Sequence, residues 1–196
     1  MSVKTEGNET SWCSDVSYFL YRLLTDFVYC LVWLAYRATL PLRPSLGDRL
    51  ALCGRACVGQ PTIMFHAASV GEISAIAPVV KKIRERSEAH IVVTTLTRTG
   101  GEAARKVIGS VDIRLLPLDT TVTVRRFLSA VNPRLIIIGE TEIWPNFIIE
   151  AKQRGCSIVL VNGRISRQSH PRYRIIKPLV AKVLSCFDLL LMRTPT

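Results

Sequence analysis

Negative charge is scarce in this chain. Its 196 residues carry 26 Lys and Arg against 15 Asp and Glu, for a net charge of +11. Between Arg164 and Lys182 there is no acid at all, while Arg164, Arg167, His170, Arg172, Arg174, Lys177 and Lys182 fall in that span. An excess of one sign points to an anionic partner: a membrane surface, a phosphorylated substrate or nucleic acid. Nucleic acid is the weakest of the three, because no basic run interleaved with aromatics, helix-turn-helix, RNA-binding or zinc-finger pattern is present. Also missing are a Gly-x-Gly-x-x-Gly loop after the first strand and a Walker-type lysine loop, which disfavours simple dinucleotide binding and P-loop chemistry. Without a Gly-x-Ser-x-Gly elbow, a hydrolase triad lacks its strongest marker. Cys53 and Cys57 are one helical turn apart, but no second Cys/His pair at metal spacing accompanies them among the six scattered cysteines. They read as incidental thiols of a reducing compartment, with no structural metal and no cofactor implied.

What is present begins with apolar residues, at 48% of the chain and a mean hydropathy of +0.26. Residues 1–15 are polar and slightly acidic and read as a disordered tail. Residues 16–40 read as a membrane-anchoring hydrophobic helix, close to the length of a span but interrupted by Arg22 and Asp26, which are one turn apart and able to pair. A marginal span, a helix lying in the interface and an ordinary soluble helix all stay open. A signal peptide is disfavoured, since no basic n-region precedes the run and no small-residue cleavage site follows. Arg37, Arg43, Arg49 and Arg55 follow it against Asp48 alone, which by the positive-inside rule puts the bulk of the chain on the cytoplasmic side. Pro41 and Pro44 predict a stiff, non-helical linker over 41–60.

From 61 to 196 apolar runs alternate with helical patterns. Strands are expected at Thr62–Phe65, His90–Thr95, Asp112–Leu116, Arg134–Ile138, Ser157–Val161 and Asp188–Met192. Helices are expected at Ile73–Arg86, Gly101–Ile108, Thr123–Val131, Asn146–Arg154 and Arg174–Leu184. Runs such as Leu135-Ile136-Ile137-Ile138 are apolar throughout, as parallel strands covered on both faces should be. The repeat predicts an α/β fold with a doubly wound, Rossmann-like parallel sheet.

Chemistry in such a sheet belongs to loops at the carboxyl ends of strands. The first, Ala67-Ala68-Ser69-Val70-Gly71-Glu72, is a tight turn delivering a carboxylate to the positive end of a helix. An ordinary stabilising helix acid is the plain alternative. The second, Thr94 to Gly101, offers hydroxyls and glycines that suit an anion or a simple cap. In the third, Asp119 or Thr120 is placed to cap the next helix. The fourth sets Glu140 and Glu142 directly after a fully apolar strand, where core packing explains them poorly; one as a cap and the other as a solvated side chain is the plain alternative. The fifth, Asn162-Gly163-Arg164-Ile165-Ser166, opens the acid-free stretch.

Together these loops resemble one family. His66-Ala67-Ala68-Ser69-Val70-Gly71-Glu72, Thr94-Thr95 with Thr97 and Thr99-Gly100, Pro117-Leu118-Asp119, Glu140 to Asn146, and Leu160 to Ser166 fall in the order and spacing of the Kdo (3-deoxy-D-manno-octulosonic acid) transferases of lipopolysaccharide synthesis. The likeness covers roughly residues 60 to 193. It implies the amino-terminal, acceptor-side half of a two-domain GT-B glycosyltransferase at the cytoplasmic face of the inner membrane, with the donor domain absent from a chain that ends at Thr196. It further implies transfer of Kdo from CMP-Kdo to a lipid A precursor (lipid IVA), without a metal. Glu72 is then the general base. Ser69, Gly71, Thr97, Arg98, Glu140, Glu142 and Arg164 are then substrate-binding. A non-catalytic membrane-associated lipid A-binding fragment, or a glycosyltransferase with another nucleotide-sugar donor, are the alternatives.

Overall fold

A computed structural model describes residues 6–39, 44–51, 57, 59–140, 142–163 and 176–193. The apolar runs become β1 (Thr62–His66), β2 (His90–Thr95), β3 (Asp112–Leu115), β4 (Pro133–Gly139), β5 (Ser157–Gly163) and β6 (Leu189–Met192). All neighbours pair in parallel, in the order β3-β2-β1-β4-β5-β6. The helices among the described residues are α1 (Glu6–Thr39), α2 (Pro44–Arg49), α3 (Val70–Arg86), α4 (Arg98–Ile108), α5 (Thr121–Val131), α6 (Pro145–Gln153) and α7 (Lys177–Leu184). This is the doubly wound Rossmann-like arrangement the alternation predicts.

Strand alternation divides the core in two. Met64, Val92, Ile136, Ile138, Ile158 and Leu160 point to one face, against Phe127 and Leu128 of α5, Phe147 and Ile148 of α6, and Leu179 and Val183 of α7. Phe65, Ile91, Val93 and Ile137 point to the other, against Ile73, Ile76 and Val80 of α3 and Ala104 and Ile108 of α4. Each such side chain, taken fully from water, contributes roughly 1.5–3 kcal/mol before entropy is counted. The chain winds outward from β1 to β2 and β3, then returns to β4 on the other side of β1. The connections after β1 and β4 therefore part, and they leave a crevice at the carboxyl ends of these two strands, where such sheets bind ligands.

Several boundaries move. The strands begin and end within two residues of expectation, but α3 and α4 start a turn early, at Val70 and Arg98. Their caps are Ser69 and Thr97, and the first turn after each lies ahead of the apolar periodicity that marks the helix. The linker is not wholly non-helical. Pro44 opens α2, at a first-turn position where its missing N–H costs nothing. Helix α1 starts at Glu6, inside the segment expected to be a disordered tail; extending an existing helix is far cheaper than nucleating one. Residues 174–175 of the expected last helix lie outside the described residues.

Helix α1 is the part whose orientation matters most. Leu20, Leu24, Phe27, Leu31 and Leu34 form a stripe more than half exposed to solvent. The opposite stripe lies on the domain through polar contacts. Tyr21 donates to Asp119 Oδ2 (2.8 Å), and Arg22 Nε donates to Thr121 Oγ1 (3.0 Å). Asp26 Oδ1 accepts from the Thr121 amide at 2.9 Å, at the positive end of α5. Arg22 and Asp26 also meet each other at 3.8 Å, as their spacing predicts. Lys182 of α7 pairs with Asp15 and lies over the Tyr18 ring, 5.8 Å from its centroid. The two charges that interrupt the apolar run are thus among the groups that fasten it to the domain.

Candidate active site

The loop after β1 is built as a reciprocal helix cap. Ser69 has extended backbone (φ −117°, ψ 162°), and its Oγ accepts from the Glu72 amide at 3.3 Å. The same hydroxyl donates to Glu72 Oε1 at 2.8 Å, and the Ala68 amide donates to Oε2 at 2.8 Å. This is a variant of the Ser-x-x-Glu capping box: Ser69 satisfies a first-turn helix N–H, and Glu72 reaches back past the cap to the amide of the residue before it. Glu72 is consequently buried (8% exposed) with both oxygens oriented. Each oxygen keeps a second lone pair, so the cap aims the carboxylate without exhausting it. Replacing Ser69 with alanine is expected to cost about 1 kcal/mol in urea denaturation, and to free Glu72 from one of its two donors.

The loop after β4 meets it across the crevice. A Cβ on Gly139 would lie 3.3 Å from the His66 carbonyl oxygen, so glycine lets the end of β4 press against the end of β1. The next residue, Glu140, has φ +56°, a left-handed backbone that costs a non-glycine residue roughly 1 kcal/mol. Its amide is held by the Val161 carbonyl at 2.9 Å. Glu72, Gly139, Glu140 and Asn162 line one cavity of about 90 Å³.

Glu142 sits on the other face, where the Trp144 indole donates to its Oε2 at 3.0 Å and His66 Nε2 lies 3.9 Å from the same oxygen. The His66 interaction holds the Glu142 carboxyl below its usual range. Burial opposes this, and the indole bond assists it. A carboxyl depressed on folding adds stability above its unfolded value, and that stability is lost as pH falls through the lowered one.

The remaining expected residues are less closely joined. Gly71 lies in the first turn of α3 beside Glu72. Thr97 caps α4, its Oγ1 accepting from the Gly100 amide at 3.1 Å. Arg98 pairs with Asp48 of α2 at 3.3 Å and lines a separate cavity of about 530 Å³ with Arg105 and Arg114. Arg164 lies outside the described residues, as does Cys53. Ligand atoms of Cys57, His90 and Asp112 lie within 4.8 Å of one another, beside the start of β3. The Arg114 guanidinium already serves that cluster as its cation, at 2.6 Å from Asp112 and 3.3 Å from Cys57 Sγ.

Two contributors escaped the sequence. Thr120 caps α5, as one of the two expected residues. Asp119 instead caps α6: its carboxylate accepts from the Asn146 and Phe147 amides at 3.1 and 2.8 Å. The local sequence starts α6 with Trp144-Pro145, and Trp144 offers no side-chain cap. An uncapped helix start, with an acid in a neighbouring βα loop, was the available signal. His66 stood within the first motif without a role, although a histidine ending a buried strand is unusual enough to mark.

The geometry agrees with the comparisons. Residues 44–196 match the family model described as 3-Deoxy-D-manno-octulosonic-acid transferase (kdotransferase). A 3-deoxy-D-manno-octulosonic acid transferase of Haemophilus influenzae is 35% identical over 161 residues, 81% of this chain and 38% of that protein. The protein of that name from Chlamydia pneumoniae is 32% identical over 172 residues, 85% of this chain and 39% of that one. A probable mitochondrial 3-deoxy-D-manno-octulosonic acid transferase of Arabidopsis thaliana is 37% identical over 132 residues, 65% of this chain and 30% of that one. The chain therefore spans less than half the length of these relatives. With residues 44–196 covered by the family model and the parallel sheet in place, the chain belongs to the 3-deoxy-D-manno-octulosonic acid transferase family of glycosyltransferases.

Proposed function

We propose that this chain is the acceptor-binding half of a Kdo transferase that moves Kdo from CMP-Kdo to a lipid A precursor, with Glu72 as general base. The observation that carries the reading is the shared cavity of Glu72 and Glu140 at the switch point of the sheet, with Glu72 aimed by Ser69 and Ala68. In the reaction, an acceptor hydroxyl attacks the anomeric carbon of Kdo. Its proton passes to Glu72, the new C–O bond forms, and the bond to the CMP phosphate oxygen breaks, with CMP taking the electron pair. Glu140 and Glu142 accept hydrogen bonds from acceptor hydroxyls, and Thr97, Arg98 and Arg164 meet phosphate or sugar oxygens. The exposed stripe of α1 lies in the cytoplasmic leaflet of the inner membrane, and the surplus positive charge faces its anionic headgroups. A bilayer-spanning α1 would have to strip Tyr21, Arg22 and Asp26 from the domain. The interfacial placement keeps those bonds.

Flotation with anionic vesicles, with and without a phosphorylated lipid A precursor, tests both parts. Wild type is expected to float, and to favour vesicles that contain the precursor. The double variant Leu24→Asp, Phe27→Asp is expected to stay in the soluble fraction. Glu140→Ala should float but lose the preference. Flotation unaffected by charges on α1 would remove the interfacial reading, and a wild type indifferent to the precursor would remove the acceptor reading. Transfer is assayed on the chain joined to the remainder of the Haemophilus influenzae relative.

A further inference from the structure

His66 ends β1 with 1% of its surface exposed, among the most buried polar side chains described. Its Nδ1 lies 3.0 Å from Thr94 Oγ1, and that hydroxyl is also 3.1 Å from the Phe65 carbonyl oxygen. Its Nε2 has no hydrogen-bond partner among the described residues, and faces Glu142 Oε2 at 3.9 Å. A buried, unmatched ring nitrogen is destabilising, so its survival here calls for a use.

The protons can be placed. Thr94 has one hydroxyl proton and two acceptors within reach. If the proton goes to the Phe65 carbonyl, His66 Nδ1 must carry its own and donate to Thr94. If it goes to Nδ1, the neutral ring carries its proton on Nε2. The first arrangement with a bare Nε2 would set a lone pair against a carboxylate. Every arrangement without that repulsion points an Nε2–H at Glu142.

We propose that His66 is the positioning residue for Glu142, its ring locked by Thr94 and its Nε2–H directed at Oε2, so that the carboxylate is held in one orientation at the carboxyl end of the sheet. Trp144 holds the same oxygen from the other side. The gap of 3.9 Å is a half-made contact, and a shift of about 1 Å in Glu142 brings it into the hydrogen-bond range. Such tightening suits a group that closes on a sugar hydroxyl. Among the described residues, the other charged groups at this end of the sheet include Glu72 on α3, Glu140 beside Gly139, Asp119 ahead of α5, Arg22 and Asp26 of α1 at Thr121, Arg49 beside Leu118, Arg193 after β6, and Arg98 on α4, which is paired with Asp48. The inference rests on the proposed function for what Glu142 binds, and not for the pair itself.

The test uses NMR of this chain. Ring ¹H–¹⁵N spectra of wild type should show a proton on His66 Nε2; a bare Nε2 overturns the proposal. The Trp144 indole N–H, assigned by its loss in Trp144→Phe, then reports the titration of Glu142. In His66→Asn, which keeps a partner for Thr94 but has nothing at the Nε2 position, the midpoint should move up. In His66→Gln, whose amide N–H reaches toward that position, it should return toward wild type. An unchanged midpoint in His66→Asn, or an equal shift in both variants, overturns the proposal. Where His66→Asn does not fold, Thr94→Val, of nearly the same shape, frees the ring at Nδ1, and the midpoint must again rise. In a transfer assay the acid limb of kcat moves to higher pH in His66→Asn. The spectroscopic results do not need turnover, so a failed transferase reading and a failed His66–Glu142 pair are told apart.

Discussion

Glu72→Gln is expected to lower Kdo transfer by about 10²–10⁴-fold, the usual worth of a positioned general base, while leaving circular dichroism unchanged. The amide oxygen of glutamine still accepts from Ser69 or the Ala68 amide, so part of the cap survives. On the proposed reading, what is lost is the ability to take a proton from the attacking hydroxyl. The loss should fall on kcat more than on the KM for the acceptor, because binding contacts elsewhere remain. Glu72→Ala adds the structural cost of the cap, about 1 kcal/mol. If Glu72→Ala unfolds the chain while Glu72→Gln transfers normally, the carboxylate is a helix cap and nothing more. Transfer rates in Glu140→Gln and Glu142→Gln place the base if it is not Glu72.

Asp119→Ala is expected to cost roughly 3 kcal/mol or more in urea denaturation, since it leaves three donors without their acceptor. These are the Tyr21 hydroxyl on α1 and the Asn146 and Phe147 amides at the start of α6. Burial pushes the Asp119 carboxyl above its usual range, and the Tyr21 and backbone bonds pull it back. Tyr21→Phe removes one of the three donors and should cost only about 1 kcal/mol. Equal costs in the two variants would show that the cap on α6 contributes nothing. The consequence reaches the crevice, because α6 begins directly after Glu142-Ile143-Trp144. Asn146 continues the connection: its Nδ2 donates to the Asp119 carbonyl at 2.6 Å and to Thr25 Oγ1 of α1 at 2.9 Å. The helix proposed to lie in the membrane and the loop that carries Glu142 are thus anchored to one acid. Asp119→Ala should therefore lower transfer as well, with Glu72 still in place.

Much of the molecule was legible before any coordinates. Continuous apolar runs such as Leu135 to Ile138 require cover on both faces, and the helical patterns between them supply it, so the parallel sheet follows from periodicity alone. The placing of Glu72, Glu140 and Glu142 at one end of the sheet also followed, because each comes just after a strand and a doubly wound sheet opens at the carboxyl ends of its strands. The family was carried by the order of the loop motifs. Helix starts were misplaced because a cap precedes the first apolar residue and has no periodicity of its own.

What only the tertiary structure decided are contacts between residues far apart in the chain. Composition could not choose between a span and an interfacial helix for α1. The interfacial reading proposed above rests on where Arg22 and Asp26 find partners, and those partners, Thr121 and its amide, lie some hundred residues on. Asp119 looked like a local cap, yet it serves a helix 26 residues later, because parallel winding sets the third and fourth loops side by side. His66 looked like the end of a strand, and only the pairing of β1 with β2 and β4 sets it between Thr94 and Glu142. Periodicity and local motifs act within one element, and a sequence displays them directly. Charge partners and caps across elements exist only once chain topology has brought distant loops together.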